Sequence, residues 1–256
     1  MIIKNKPNNI NTKKYWDYRY QHNWRKLGGE DQTKNFFEYI LTNLPSEIKK
    51  DIKNKRLVDS SCAFGQGVYI LSKAFPLANI SGVEFSEIAL KECKKNYPKL
   101  KFERELNGKY FALFSSNTLE HCDYPLHVLH EFIKFVNRYC IILVPYKENP
   151  TNRINEHVYS FYDNDFPTQI LEFRKIFQKE IFPEHWTGSQ LLVIYKKTMK
   201  KKFFLPTYFY PFWPPKMATI CTTFQFPIKP KKRKTKQTKI FERGASGFCR
   251  TCFLPF

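Results

Sequence analysis

The stretch RLVDSSCAFGQGVYIL, residues 56–71, places an acid and two glycines between two apolar segments. The residues up to Asp59 have the composition of a buried β-strand, and the apolar residues after Gly65 favour a helix. Between them, Ser61 and Ala63 are small, and Gly65 has no Cβ, so the backbone of this turn can approach a ligand closely. The stretch therefore predicts the first strand-to-helix turn of an α/β sheet, where such sheets bind their ligands.

The rest of residues 50–198 alternates β-favouring apolar runs with helical segments. This alternation predicts an α/β fold with a Rossmann-like doubly wound sheet, mostly parallel, that closes with a C-terminal antiparallel hairpin. The predicted helices are 68–75, 87–96 and 125–136. The predicted strands are 56–60, 80–85, 101–104, 110–116, 140–146, a segment around 180–182, and 191–196.

A second acid stands at the end of the second predicted strand. Glu84, in the segment ISGVEFS, lies nineteen residues after Gly65 and precedes Phe85. A carboxylate at this place can accept hydrogen bonds from two ribose hydroxyls. This order of features predicts a site for a nucleoside-containing cofactor: a strand, a turn of small residues, a helix, a second strand and an acid.

Three segments in this order resemble the motifs of class I S-adenosylmethionine-dependent methyltransferases. They are DSSCAFG (59–65), which resembles motif I although Ser61 and Ala63 replace two of its glycines, GVEFSEIAL (82–90), and LFSSNTLEHCDYPLHVLHEF (113–132). The segment YWDYRYQHNWRKLGGEDQT (15–33) also looks like the N-terminal cap of a bacterial subgroup that acts on small molecules. The sequence of the cap predicts two short amphipathic helices with a hinge at Gly28 and Gly29. The hinge segment is either a plain loop or a lid over the substrate.

The resemblance implies S-adenosyl-L-methionine as cofactor and transfer of its methyl group to an oxygen or nitrogen of a small-molecule acceptor. His121 is the candidate general base, because an imidazole titrates near neutral pH, and Glu120 is its catalytic partner. The residues expected to bind the cofactor are Asp59, Ser61, Ala63, Gly65, Glu84, Phe85 and Asn117.

Each of these residues also has a structural alternative. Asp59 could cap the following helix, Glu84 could be a solvated strand end, and Glu120 and His121 could make only structural hydrogen bonds. His157 either packs, faces solvent or contacts the substrate. No metal site is expected, because Glu120 and His121 lack a third ligand that the sequence would identify.

Composition indicates a soluble, cytoplasmic protein. No apolar run is long enough to span a membrane, and the lysine-rich and asparagine-rich start does not resemble a signal peptide. The seven cysteines are an odd number and stand mostly in apolar runs, which favours reduced, buried thiols. We expect a flexible segment over 1–14, a helical cap over 15–49, a methyltransferase domain over 50–198 and a poorly ordered tail over 199–256.

The tail carries most of the positive charge. Residues 199–256 hold 13 Lys or Arg against one acid, Glu242, in a chain whose net charge is +20. The segment PKKRK resembles a nuclear import signal, and the charge can bind nucleic acid or anionic lipid, but it can equally be a solvated extension or the product of an altered reading frame. One C-x-x-C pair, Cys249 and Cys252, is too little for a zinc site. The alternative function is therefore a nucleic-acid-binding protein with a degenerate or RNA-directed methyltransferase-like domain.

Overall fold

The computed structural model of the chain describes residues 10–149 and 154–198. The first nine residues of the predicted flexible start and the whole predicted tail, with its C-x-x-C pair, lie outside the described residues. The statements below concern the described part alone.

The described residues form six α-helices and eight β-strands. The helices are α1 (Lys13–His22), α2 (Gly29–Asn43), α3 (Ser46–Ile52), α4 (Gln66–Ala74), α5 (Glu87–Asn96) and α6 (Pro125–Lys134). The strands are β1 (Arg56–Ser60), β2 (Asn79–Val83), β3 (Lys101–Glu103), β4 (Tyr110–Ser116), β5 (Val136–Tyr146), β6 (Gln169–Ile170), β7 (Phe173–Ile181) and β8 (Ser189–Lys197). A short 3₁₀ turn, Leu119–His121, follows β4.

All eight strands belong to one sheet with the order β3-β2-β1-β4-β5-β8-β7-β6. The strands from β3 to β5 are parallel, whereas β8, β7 and β6 pair antiparallel. The chain runs from β1 outward to β3, then returns to the other side of β1 with β4, so the strand order reverses between β1 and β4. The predicted doubly wound fold with its antiparallel C-terminal hairpin is confirmed.

Both faces of the sheet are buried, because helices pack on each side. Successive residues of a strand point to opposite faces, and the cores follow this alternation. Leu57 of β1 and Phe114 of β4 lie in the core beneath α2, α3, α4 and α5, while Val58 and Leu113 lie in the core beneath α6. The strands therefore read as continuous apolar runs, as parallel strands covered on both faces do.

Local sequence explains where the helices near the site begin. The Thr12 side chain accepts a hydrogen bond from the Tyr15 amide at the start of α1, and the Ser86 side chain accepts one from the Ala89 amide at the start of α5. Helix α6 begins with Pro125, whose fixed φ suits a first helical position.

Several element bounds differ from the predicted ones. Helix α6 ends at Lys134 rather than at 136, since β5 already begins at Val136. Strand β7 starts at Phe173, well before the predicted segment around 180–182, and α3 and β6 were not predicted. Among the described residues, no helix is both long and apolar enough to cross a membrane.

Candidate functional site

In the loop after β1, every second residue has a positive φ, in the left-handed region. The φ angles are +62° at Ser61, +48° at Ala63 and +88° at Gly65. L-residues other than glycine adopt this region at a cost of about 1–2 kcal/mol each. Ser61 and Ala63, which replace glycines of the resembled motif, therefore keep a backbone conformation that glycine would adopt without strain.

Gly65, which ends the loop, and Gly67, in the first turn of α4, both lie against bulky side chains of the fold. A Cβ at Gly65 would lie 2.9 Å from the Phe102 ring, and a Cβ at Gly67 would lie 2.3 Å from the Phe37 ring and 2.5 Å from Asp59 Oδ2. Gly65 does not line the cavity described below. Its positive φ is the conformation that the turn requires, and its predicted contact with the cofactor stays a prediction.

Asp59 is a buried acid near the end of β1, at the point where the strand order reverses. Its side chain is almost fully buried, and its Oδ2 has no hydrogen-bond partner among the described residues. Burial, with a contribution from the Glu84 carboxylate, raises the pKa of Asp59 well above its ordinary value. A cationic group placed beside Asp59 would relieve this cost, since buried charges require partners.

Glu84 follows β2 and joins the loops at the ends of the first two strands. Its Oε1 accepts a hydrogen bond from the Ser86 amide (2.9 Å) and its Oε2 from the Ala63 amide (3.0 Å), and the Tyr20 hydroxyl lies 3.5 Å from Oε2. Burial raises its pKa to about 7, although these hydrogen bonds favour the ionised form. A carboxylate oxygen accepts more than one hydrogen bond, so Glu84 retains capacity for further donors.

Asn117 follows β4 and faces the β1 loop across the switch point. Its φ of +48° bends the chain out of the sheet. Its backbone N–H donates to the Leu143 carbonyl of β5 (2.8 Å). Asparagine tolerates this conformation better than most residues. The 3₁₀ turn that follows this bend carries Glu120 and His121.

The strand ends and the cap enclose one cavity, which we call the strand-end cavity. The structure brings to it all the residues predicted as site residues except Gly65 and Glu120. The space left between its side chains is about 80 Å³, which is small beside the several hundred Å³ of typical small-molecule sites. Its lining residues are Trp16, Tyr20, Trp24, Gln32, Thr33, Phe36, Phe37, Asp59, Ser61, Ala63, Glu84, Phe85, Ser116, Asn117, Thr118 and His121.

The reasoning from sequence missed the aromatic residues of the cap that line the cavity, which are Phe36 and Phe37 of α2 and three residues before Gly28. Trp16, Tyr20 and Trp24, hereafter the aromatic cover, stand four residues apart. Tyr20 contacts the Phe64 ring of the β1 loop at 5.3 Å between centroids. The four-residue spacing is the signal that could have revealed them, because it places side chains on one face of a helix.

Glu120 and His121 lie in a buried group with His157, hereafter the histidine-glutamate cluster. Glu120 Oε1 is 3.9 Å from His121 Nε2 and 4.0 Å from His157 Nε2. The Nδ1 atom of His121 is 2.9 Å from the Glu156 carbonyl oxygen, and the Nδ1 atom of His157 is 2.8 Å from the Glu148 carboxylate. The structure thus supplies a third side chain that the sequence had not linked to Glu120 and His121.

The charges of this cluster differ among its members. Burial and the neighbouring His157 lower the pKa of His121 to about 3, so its imidazole is neutral at physiological pH. Burial raises the pKa of Glu120 to about 7, against the effect of His157. Burial also opposes charging of His157, but its hydrogen bond to the Glu148 carboxylate and the other nearby carboxylates raise its pKa overall.

Four of the seven cysteines lie in the described residues, and all four are buried and outside any disulfide, as the sequence predicts. Burial raises the pKa of Cys62 and Cys140, which keeps both thiols protonated and unreactive. These thiols contribute to the cores and do not form a reactive site.

Comparison with known proteins gives relatives in structure alone. No protein-family model and no curated protein matches the chain. A chain of the complex between the Haloferax volcanii Trm112 methyltransferase activator and its methyltransferase partner is similar, with a TM-score of 0.57, 12% identity and coverage of 72% of this chain and 98% of that one. An S-adenosylmethionine-dependent methyltransferase from Clostridium acetobutylicum is similar with a TM-score of 0.52, 10% identity and coverage of 70% and 98%.

At sequence identities of 10–12%, structural similarity indicates a shared fold and does not indicate a shared activity. The similarity covers nearly the whole length of both solved chains, and it agrees with the strand order and with the motif positions described above. The chain therefore has the fold of the class I S-adenosylmethionine-dependent methyltransferases.

Proposed function

We propose that this chain is an S-adenosylmethionine-dependent methyltransferase that transfers a methyl group to an oxygen or nitrogen of a small-molecule acceptor. The observation that carries the proposal is the pair of buried carboxylates, Asp59 and Glu84, at adjacent strand ends beside the switch point. Both line the strand-end cavity. Ligands of doubly wound sheets bind at this place.

The donor groups of the site fit this cofactor. Asp59 has a buried oxygen without a partner among the described residues, which suits the cationic amino group of the methionine moiety. Glu84 is held in place by two backbone amides and suits the ribose hydroxyls. The backbone of Ser61 and Ala63 comes close to the cavity with small side chains, and Phe85 and Asn117 complete its wall.

The cofactor supplies an electrophilic methyl group on a sulfonium, and its product is a neutral thioether, so the leaving group needs no acid. The contribution of the protein is therefore alignment of the acceptor with the methyl group, which can supply roughly 7–11 kcal/mol. His121 faces the cavity from the β4 side and would contact the acceptor. Glu120 lies behind it and would act through it as a positioning residue.

The role of His121 as general base stays a prediction. An efficient base has a pKa near the working pH, and a pKa of about 3 makes the neutral imidazole a weak one. Alignment is therefore the larger part of the proposed mechanism. The buried, reduced cysteines fit the cytoplasmic setting that we include in the proposal.

The test is transfer of label from methyl-labelled S-adenosylmethionine to a panel of phenolic, sugar and amine acceptors. We expect labelled product and S-adenosylhomocysteine in equal amounts, and loss of both in Asp59→Asn. The variant Asp51→Asn is the control, since Asp51 contacts Tyr139 and does not line the cavity. Binding of the cofactor without transfer to any acceptor class would identify a degenerate domain instead.

The alternative, a nucleic-acid-binding protein, rests on the charge of residues 199–256, which lie outside the described residues. Charge alone predicts binding that weakens steeply with salt and shows little sequence preference. Addition of RNA or DNA to the acceptor panel separates the two proposals, because labelled nucleic acid would favour the alternative.

A further inference from the structure

The histidine-glutamate cluster has the spacing of a metal site. Glu120, His121 and His157 each offer one ligand atom, and these atoms all lie within 4.8 Å of one another. An ion between atoms spaced in this way would lie roughly 2.5 Å from each, a few tenths of an ångström beyond the 2.0–2.2 Å bonds that zinc forms with histidine and carboxylate. Small rotations of the side chains would therefore complete the coordination.

The hydrogen bonds of the two imidazoles leave the correct nitrogen free to bind an ion. The Nδ1 atom of His121 donates to the Glu156 carbonyl oxygen at 2.9 Å, since a carbonyl can only accept. The Nδ1 atom of His157 is held in the same way by the Glu148 carboxylate at 2.8 Å. Each ring, when neutral, then presents the lone pair of Nε2 toward Glu120, which is how carboxylates and carbonyls orient histidine ligands in metal sites.

Glu120 provides an independent observation that points to a cation. Its side chain is fully buried, and neither carboxylate oxygen has a hydrogen-bond partner among the described residues. A buried carboxylate that makes no hydrogen bond costs several kcal/mol, and the two imidazoles at 3.9 and 4.0 Å lie beyond hydrogen-bond distance. A divalent ion between Glu120 and the two imidazoles would compensate this cost.

The backbone holds the three side chains together although they are distant in sequence. The amides of Val158 and Tyr159 donate to the Glu120 carbonyl at 2.9 and 3.0 Å, which fixes the loop of His157 onto the 3₁₀ turn. The Trp16 ring packs edge-on against His121 at 5.1 Å between centroids. The site is therefore preorganised rather than assembled from mobile side chains.

We propose that Glu120, His121 and His157 bind one divalent transition-metal ion. Two imidazoles and one carboxylate suit zinc, cobalt, iron or manganese better than calcium or magnesium, which prefer oxygen ligands alone. Of the three ligands, His121 also lines the strand-end cavity, so the ion would lie beside that cavity. This inference does not depend on the proposed function, because ion binding is measured on the chain itself.

The test is titration of the whole chain, freed of metal by a chelator, with Co²⁺ and Zn²⁺. We expect about one ion per chain, and a visible absorption band of bound Co²⁺ that Zn²⁺ displaces. Both His157→Gln and Glu120→Gln should weaken binding by about 100-fold or more. Glu148→Ala, which removes only the partner of His157, should weaken it by about 10- to 100-fold.

The matched control is the group His127, His130 and Glu131 on α6, which has the same side chains, more exposed histidines and a Glu131 already paired with Lys134 at 2.6 Å. The double variant His127→Gln/His130→Gln should bind as the wild type does. Unfolding curves recorded without metal show whether each variant is folded.

Two outcomes would overturn the proposal. One is absence of Co²⁺ and Zn²⁺ binding by folded wild-type chain, which would make the cluster a proton-sharing structural network. The other is binding that His157→Gln leaves unchanged, with thiolate-to-cobalt charge-transfer absorption that locates the ion at cysteines.

Discussion

The β1 loop shows how single residues can depart from a motif and still keep its backbone. Ala63 adopts a φ of +48°, and its side chain is buried. A change to glycine would relieve about 1–2 kcal/mol of strain. It would also remove a buried methyl group, which lowers the free energy of unfolding by about 0.8 kcal/mol. Glycine gives the unfolded chain more conformational entropy, which lowers the free energy of unfolding by about 0.4–1 kcal/mol more. The opposing effects nearly cancel, which explains why alanine is tolerated at this position.

We therefore expect Ala63→Gly to change the free energy of unfolding by less than about 1 kcal/mol. Ala63→Val should destabilise the protein by at least about 2 kcal/mol, since a β-branched residue is strongly disfavoured at positive φ. Urea denaturation measures both. Ala89→Gly in α5 is the control and should cost at least about 1 kcal/mol. A gain above 2 kcal/mol in Ala63→Gly would show that the loop stores more strain than its φ angles indicate.

Glu84 makes a prediction about pH. Its pKa of about 7 lies above the ordinary value because of burial, so the carboxyl is largely protonated below pH 7. A protonated carboxyl carries no charge and has a donor in place of one acceptor site, so it binds two ribose hydroxyls less well than a carboxylate does. The affinity for S-adenosylhomocysteine should therefore rise by about tenfold from pH 6 to pH 8, as measured by calorimetry.

Glu84→Gln should weaken binding at pH 8 by about tenfold and reduce the dependence on pH. Some dependence should remain, because the raised pKa of Asp59 acts in the same direction. The exposed Glu87→Gln is the control. The same slope in wild type and Glu84→Gln would remove Glu84 from the ribose site.

The residues proposed to bind the cofactor could be predicted because they stand at the ends of strands that the sequence indicates clearly. Asp59, Glu84 and Asn117 each stand at or just after an apolar run, and parallel strands bring such ends to one edge of the sheet. His157 was not predictable as a partner of Glu120, since the two are joined by hydrogen bonds to the backbone across a long loop. Contacts of this kind leave no periodic pattern in the sequence.

Among the elements, α1 determines access to the cavity. It places Trp16 and Tyr20 over the strand ends, and the Asp17 carboxylate accepts a hydrogen bond from the Ser86 hydroxyl at the start of α5. The space beneath the aromatic cover is smaller than a nucleoside cofactor requires. Entry of the cofactor should therefore displace α1 or its side chains.

This displacement should change tryptophan fluorescence, because Trp16 is only 8% exposed. We expect saturable quenching and a red shift of emission as S-adenosylhomocysteine is added. Trp16→Phe should reduce the change, whereas Trp186→Phe, outside the cavity lining, should keep it. Unchanged emission at ligand concentrations that saturate the calorimetric signal would contradict displacement of the cover.

The elements with strong periodicity were predicted closely, and the others were not. Helix α5 matches its predicted bounds, since Ser86 caps it and its apolar positions repeat along one face. Strand β7 was predicted too short because five of its nine residues are polar or charged, and a prediction based on apolar runs does not detect such a strand. Helix α3 has seven residues, too few for a clear period.

For the whole molecule, the described residues form an eight-stranded sheet with a core on each face, and β8 ends at Lys197. A chain shortened to residues 1–198 should therefore unfold cooperatively and bind S-adenosylhomocysteine as the full chain does. Any binding of nucleic acid should be lost on shortening, and in the full chain it should fall steeply with salt. Gel-shift and calorimetric titrations compare the two chains. Loss of cooperative unfolding in the shorter one would show that residues after 198 belong to the folded domain.

The central claim is that the strand-end cavity is a cofactor site, and calorimetric titration of the full chain with S-adenosylhomocysteine tests it most directly. We predict one site per chain with a Kd in the micromolar range, about −8 kcal/mol, together with a raised melting temperature. Asp59→Asn should weaken this binding while the protein stays folded. Absence of both heat and thermal shift in folded wild-type chain between pH 6 and 8 would contradict the account.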